Sequence, residues 1–225
     1  MPRDVALVTG FEPYGGGRIN PSTLVVRSLD GTALASVPVV GRTLPVAFRG
    51  LRQRAEALVR ELDPAVIVSL GLWPGEPTIR LERLAVNVAD CEIPDNEGAF
   101  LEDAPLAPGT AAIPSRLPLR AIERALLDAG IPARVSNTAG TFLCNATMYT
   151  FLEATAGAQP PVACGFVHLP YLPEQVAELL RTTKAERRLE VHQRADLASM
   201  SLDRMVEAVR IALATSLAAA RPARP

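Results

Sequence analysis

The sequence predicts an α/β protein, a three-layer α/β/α sandwich with a mostly parallel or mixed central sheet. Two observations carry this. Short apolar runs of strand length alternate along the chain with longer segments of helical character, the pattern of a sheet covered by helices on both faces. In addition, 48% of the 225 residues are hydrophobic, enough for residues 1–225 to bury a sizeable core as one domain.

The elements follow in order. Residues 5–9 are a short apolar run closed by Gly10 and read as a buried strand. Asn20-Pro21-Ser22 opens a helix, with Asn20 as N-cap and Pro21 at the first helical position. Residues 37–46 are strand-like, with Pro and Gly interruptions. Residues 48–62, rich in Arg, Ala, Leu and Glu, read as an amphipathic helix. Residues 65–70 form another buried strand, ended by Gly71. Residues 79–88 alternate apolar and polar, which suggests a strand with one wet face. Residues 91–118 are the longest irregular stretch, rich in Pro, Asp and Gly; loops of that length are often functional or shape an interface. Residues 119–129 read as a helix stopped by Gly130. Residues 133–136 and 162–167 read as strands, with a helix beginning near Cys144 between them. Residues 202–220 make a long closing helix that tapers into a frayed tail at 221–225. There is no internal repeat and no low-complexity linker.

Composition removes several function classes. The formal net charge is −1, and no basic stripe suits a nucleic acid. Arg181, Lys184, Arg187 and Arg188 are interleaved with Glu178, Glu186 and Glu190, which reads as a solvated helix face. No run reaches the ~18 apolar residues of a membrane span, and the start lacks the features of a signal peptide. The expectation is a cytoplasmic protein. Three cysteines without a C-x-x-C pair argue against a disulfide framework or a structural zinc, and leave at least one free thiol. No H-E-x-x-H, P-loop or G-x-S-x-G is present, and the glycines at 15–17 do not make G-x-G-x-x-G. Neither a metal nor a cofactor is expected.

Scarcity directs attention to a few side chains. Of two histidines, His192 sits in a charged segment and reads as a surface residue. His168 stands at the carboxyl end of the strand predicted at 162–167, where ligands bind in open α/β sheets. Position alone leaves a catalytic base and a satisfied strand-end histidine equally open. Cys164 lies within that strand and reads as an inert buried thiol; Cys91 suggests no role. Cys144 follows a Gly-containing turn and begins a helix. There the helix dipole should lower the thiol pKa, and first-turn N–H groups could receive an oxyanion. A nucleophile on a strand–turn–helix is a recurrent hydrolase device; the plainer alternative is a cysteine packing the start of a core helix. A Cys–His pair needs a third group to orient the imidazole. Glu82 is a candidate, although a salt bridge with Arg80 or Arg83 explains it as well, and spacing does not rank it above Asp90 or Asp95.

At these residues the chain resembles the pyroglutamyl peptidase type I (pyrrolidone-carboxylate peptidase) family, and does so over nearly its whole length. Five blocks occur in the family's order: T-G-F-E-P-Y-G-G at 9–16 with I-N-P-S at 19–22, E-R-L-A-V-N at 82–87, I-P-D-N-E-G at 93–98, S-N-T-A-G-T-F-L-C-N at 136–145, and H-L-P-Y-L-P-E-Q at 168–175. The resemblance implies a cysteine peptidase with a Cys144–His168–Glu82 triad. It further implies removal of N-terminal pyroglutamate from peptides, no cofactor, and a homotetramer. In the family the flat lactam ring lies between aromatic side chains; Phe11, Tyr14 and Phe142 stand at the matching positions, and backbone groups near Leu143 would serve the lactam.

The chain also departs from the family. After Gly71 the family usually carries Gln and then a Gly-rich stretch ending in Arg, whereas this chain has Leu72-Trp73-Pro74-Gly75-Glu76. Leu72 lacks the polar atoms with which that Gln would read the lactam, a contact worth ~1 kcal/mol. Two residues before the glutamate the family favours Ser or Thr, and Arg80 stands here. Tyr14 replaces the usual Phe and adds a hydroxyl. Leu72 and Trp73 therefore motivate two alternatives: a cysteine amidohydrolase of the same fold acting on another small acyl group, and a non-catalytic pyroglutamyl-binding protein.

Overall fold

The structure, a computed structural model, describes residues 3–220. The tail expected to fray at 221–225 lies outside the described residues. Strands and helices alternate as the apolar pattern demands. They are β1 (Ala6–Phe11), α1 (Pro21–Leu29), β2 (Ala33–Leu34), β3 (Val37–Leu44), α2 (Leu51–Leu62), β4 (Val66–Leu72), β5 (Ile79–Glu82), β6 (Leu84–Val86), β7 (Ala112–Pro114), α3 (Leu119–Asp128), β8 (Ala133–Ser136), α4 (Leu143–Ala154), β9 (Ala163–Leu169), α5 (Pro173–Glu186) and α6 (Leu202–Ala220).

Seven strands form the main sheet in the order β2-β3-β1-β4-β9-β5-β8. Strands β3, β1, β4 and β9 run parallel. β5 and β8 are parallel to each other but oppose β9, and β2 opposes β3. The sheet is thus mixed and mostly parallel. Every residue of β1, β4 and β9 is buried, which is why these strands read as continuous apolar runs rather than alternations. One sheet face packs with α1 and α6, and α3 packs on α6. The opposite face carries α4 with α2 packed on it. The two faces divide the side chains by strand parity: Val167 and Leu169 join the first core, Cys164 and Phe166 the second.

The structure corrects the reading of residues 79–88. They form two strands in different sheets, with β6 pairing β7 in a separate two-stranded sheet. Nor is one face wet: all four residues of β5 are buried, with Arg80 5% and Glu82 0% exposed. Alternation reports that one face is polar, but not whether water or protein meets it. The stretch 91–118 is also less irregular than its composition suggests, since it supplies β7. Helix α5 begins with Pro173 at its first position and Leu172 as N-cap. No helix among the described residues is long and apolar enough to cross a membrane.

Candidate active site

The expected site residues meet where β1, β4 and β9 end and α4 begins. Phe11 closes β1, Leu72 closes β4, His168 is the penultimate residue of β9, and Leu143 and Cys144 open α4. Open α/β sheets bind ligands beyond the carboxyl ends of their strands for this topological reason.

Register explains the polar cluster. His168 faces Arg80 across the antiparallel β5–β9 pair, and Glu82 faces Phe166. Residues two apart share a face, so Arg80, Glu82, Phe166 and His168 all point toward the α4 layer. Glu82 Oε1 accepts a hydrogen bond from His168 Nδ1 at 2.8 Å and another from Arg80 Nε at 3.0 Å. A carboxylate only accepts, so Nδ1 carries the imidazole proton and Nε2 is left as the basic nitrogen. His168 is 1% exposed and touches Phe166 and Trp73, with ring centroids 4.8 and 5.0 Å away. One oxygen of Glu82 thus holds both the His168 hydrogen bond and the Arg80 ion pair.

On its other side His168 has Gly71 of β4 as register partner. The glycine makes room for the thiol: a Cβ there would lie 2.7 Å from Cys144 Sγ and 2.9 Å from Phe166 Cζ. Cys144 is partly accessible, whereas Cys91 and Cys164 are buried. Cys144 and His168 line the same cavity of about 340 Å³. Among the described residues no hydrogen bond links Sγ to His168; such contacts often tighten only when substrate is bound. The N-cap residue of α4, Phe142, gives no side-chain cap, so the first-turn N–H groups of α4 receive no oxygen from it.

The expected fall in the Cys144 pKa is not what the structure gives. Burial and then the charge of Glu82 push the thiol up to about 12. The desolvation of the thiol outweighs the helix terminus. His168 moves the other way: burial lowers its pKa despite the hydrogen bond it donates to Glu82. Both shifts favour the uncharged forms, a thiol and an imidazole. Cys164, in β9, is likewise pushed up to about 12 by burial, as an inert core thiol should be. His192 is exposed beside Glu190.

A narrow slot of about 20 Å³ adjoins the thiol, lined by Phe11, Tyr14, Asn20, Leu72, Phe142 and Leu143 among others. Tyr14 and Phe142 face each other with centroids 6.1 Å apart, and Phe48 meets Phe142 edge-on at 5.7 Å. Burial, Cys144 and Tyr171 together hold the Tyr14 hydroxyl well above the ordinary phenol range, so it stays a donor. The loop at 93–98 braces this wall. Asp95, an open alternative to Glu82 in the sequence, accepts the N–H groups of Phe48, Glu97 and Ala99, so its carboxylate is occupied. Asp90 lies on the wall of the larger cavity.

Sequence reasoning missed the role of Asn145 and gave Trp73 and Arg80 no place in the site. Asn145 accepts the Val86 N–H and donates to the Val86 and Val88 carbonyls, tying the first turn of α4 to β6; only its position next to Cys144 hinted at this. Trp73 lines the larger cavity and lies under the Arg80 guanidinium, 3.6 Å from its ring centroid. Arg80 itself carried a signal, as an arginine beside a candidate glutamate in an otherwise apolar strand.

A buried imidazole held by a carboxylate, sharing a cavity with the Cys144 thiol at a helix start, fits a cysteine-type peptidase. Comparison with known proteins narrows this. The family model for pyroglutamyl peptidase matches residues 4–219, and the chain belongs to that family. It is 40% identical over 212 residues to the pyrrolidone-carboxylate peptidase of Pyrococcus furiosus, covering 94% of this chain and 97% of that protein. It is 44% identical over 214 residues to the pyrrolidone-carboxylate peptidase of Cupriavidus pinatubonensis, covering 94% and 92%. A solved structure of a mutant P. furiosus pyrrolidone carboxyl peptidase superposes with a TM-score of 0.88 at 39% identity, covering 96% of this chain and all of the other.

Proposed function

We propose that the protein is a cysteine exopeptidase that removes N-terminal pyroglutamate from peptides, with Cys144 as nucleophile, His168 as general base and Glu82 as orienting group. The observation that carries this is the 2.8 Å bond between His168 Nδ1 and Glu82, which turns Nε2 toward a cavity that the Cys144 thiol also lines. The pyroglutamyl ring enters the slot between Tyr14 and Phe142, near Phe11, Leu72 and Leu143 (about one water's volume when empty), so one or both aromatic rings shift as it binds. The rest of the peptide occupies the larger cavity.

Chemistry follows from the resting protonation. Because the thiol is raised and the imidazole lowered, His168 Nε2 takes the proton as Cys144 Sγ attacks the carbonyl, rather than pairing with a standing thiolate. First-turn N–H groups of α4 receive the oxyanion. The imidazolium, stabilised by Glu82, protonates the leaving amine. Water, deprotonated by the regenerated base, then cleaves the thioester and releases pyroglutamate. The resemblance extends the proposal to a homotetramer, which sedimentation would show as a species of four times the monomer mass.

A fluorogenic pyroglutamyl amide tests the reading. Turnover that disappears in Cys144→Ala and in His168→Ala supports it. No turnover, but alkylation of Cys144 by iodoacetamide, redirects it to a different small acyl group, which the apolar Leu72 would suit. Neither turnover nor labelling leaves a binding protein.

A further inference from the structure

We propose that Arg80 is a positioning residue for the Glu82–His168 pair, its guanidinium holding the Glu82 carboxylate in place while Trp73, stacked on it, separates that ion pair from the cavity. The proposal rests on the catalytic reading above and assigns a role to two residues that reading does not use.

The geometry is specific. Arg80 and His168 donate to the same oxygen, Glu82 Oε1, so their nitrogens lie within about 6 Å of each other. Glu82 Oε2 is buried with no hydrogen-bond partner. The hydrogen bonds that fix this carboxylate are thus the two on Oε1, and one comes from the imidazole that must itself be fixed. Arg80 supplies the independent anchor.

Arg80 is in turn held on every side. Its Nη2 donates to Ser136 Oγ at 2.7 Å and to the Thr138 carbonyl at 2.9 Å, both in the segment that leads into α4. Its Nη1 stands 3.6 Å from Glu76 Oε2, and Glu76 is itself bound by Arg134 at 2.7 Å. The planar fork matches this arrangement, which a lysine ammonium cannot reproduce. Trp73 closes the remaining face: its ring lies 3.6 Å from the guanidinium and meets His168 edge-on. The far edge of the same indole rests over Gly140, where a Cβ would approach within 3.5 Å. One arginine therefore links the β5 carboxylate, the imidazole on β9 and the turn before Cys144.

Arg80 also acts electrostatically. The charged and titratable groups around His168 are Glu82 and Arg80 on β5, Glu76 in the preceding turn, Cys144 on α4, and Tyr14, Asp90 and Glu92 along the cavity wall. Arg80 is the cation acting on His168, and it disfavours the imidazolium. Its removal should raise the pH below which His168 is protonated.

The test compares Arg80→Gln and Arg80→Lys with wild type, measuring kcat, KM, melting temperature and the pH profile of kcat/KM on a pyroglutamyl amide. In Arg80→Gln kcat should fall about tenfold or more with KM within about twofold, and the acid limb should move to higher pH. In Arg80→Lys kcat should fall similarly while the limb stays near wild type, because the charge is kept and the geometry lost. A merely structural arginine would lower the melting temperature and leave the kcat of the folded enzyme and its acid limb unchanged; that result overturns the proposal. If Arg80→Gln does not fold, Arg80→Lys decides, and wild-type kcat in it is refuting. Cys144→Ala and His168→Ala are run alongside. Turnover surviving in those two overturns the catalytic reading itself, whereas their inactivity with normal Arg80 variants removes this inference alone.

Discussion

Replacing Gly71 by Ala places a single methyl group between the Cys144 sulphur and the Phe166 ring. Gly71 sits beside His168 in the sheet, and the added Cβ would lie 2.7 Å from Cys144 Sγ, 2.9 Å from Phe166 Cζ and 3.1 Å from Phe166 Cε1. Ordinary carbon contacts need about 3.5–4.0 Å, so the sulphur must retreat by about 1 Å. The Phe166 ring blocks the other direction, because it is 0% exposed and packed against His168. Backbone conformation adds no penalty, since Gly71 is not among the glycines with positive φ. Overpacking of this kind costs about 1–3 kcal/mol of stability, while a 1 Å displacement of a nucleophile can cost about 100-fold in rate. The assay is kcat/KM on a fluorogenic pyroglutamyl amide, read beside thermal unfolding. The expected result is a folded variant, a few degrees less stable, with activity reduced about 100-fold. Near-wild-type kcat/KM in a folded Gly71→Ala would refute the placement of the thiol, and with it the argument that this glycine exists to admit Cys144.

The remaining predictions are simpler to state. Iodoacetamide should modify Cys144 ahead of the buried Cys91 and Cys164. Because the thiol is raised to about 12, the rate should be low near neutrality and still climbing at alkaline pH; a plateau near neutral pH would contradict a neutral resting thiol. His168 must be unprotonated to act as base, and burial lowers its pKa. Activity should therefore persist below the ordinary histidine pKa of about 6.5 and fall only as pH drops through the lowered value, so an acid limb above that point in kcat/KM would count against His168 as base. Leu72→Gln restores a polar group to a residue lining both the slot and the larger cavity. If it contacts the lactam, KM should improve about fivefold, the equivalent of ~1 kcal/mol; an unchanged or worse KM would mean that the ring is read elsewhere.

Much of the molecule was legible along the chain. The fully buried strands β1, β4 and β9 are visible because both faces are apolar, and a continuous run of that kind needs only local hydrophobicity to be seen. Asn20 with Pro21 announced α1, and its cap is present, Asn20 accepting the Ser22 N–H at 3.1 Å. Cys144 and His168 stood out through scarcity and position before any resemblance was considered. What local pattern could not supply was the environment of those groups. The same helix start that should have lowered the thiol pKa is overruled by burial, and burial is a property of the packed layers rather than of the segment.

The division between sequence and tertiary structure is clearest at Glu82. By itself the sequence determined that an acidic residue sits in an alternating segment beside an arginine, and that Asp90 and Asp95 were rivals for the same task. The family resemblance pointed to Glu82 where local pattern did not, and the antiparallel register of β5 against β9 sets Arg80 opposite His168 and brings Glu82 onto the same face. The reason is physical. Hydrophobic periodicity is written in neighbours along the chain, whereas a hydrogen bond between residues 82 and 168 depends on which strands pair and in which direction. The tertiary structure also decided what becomes of the polar face of β5: it meets the His168 imidazole and the packed layer of α4 instead of water.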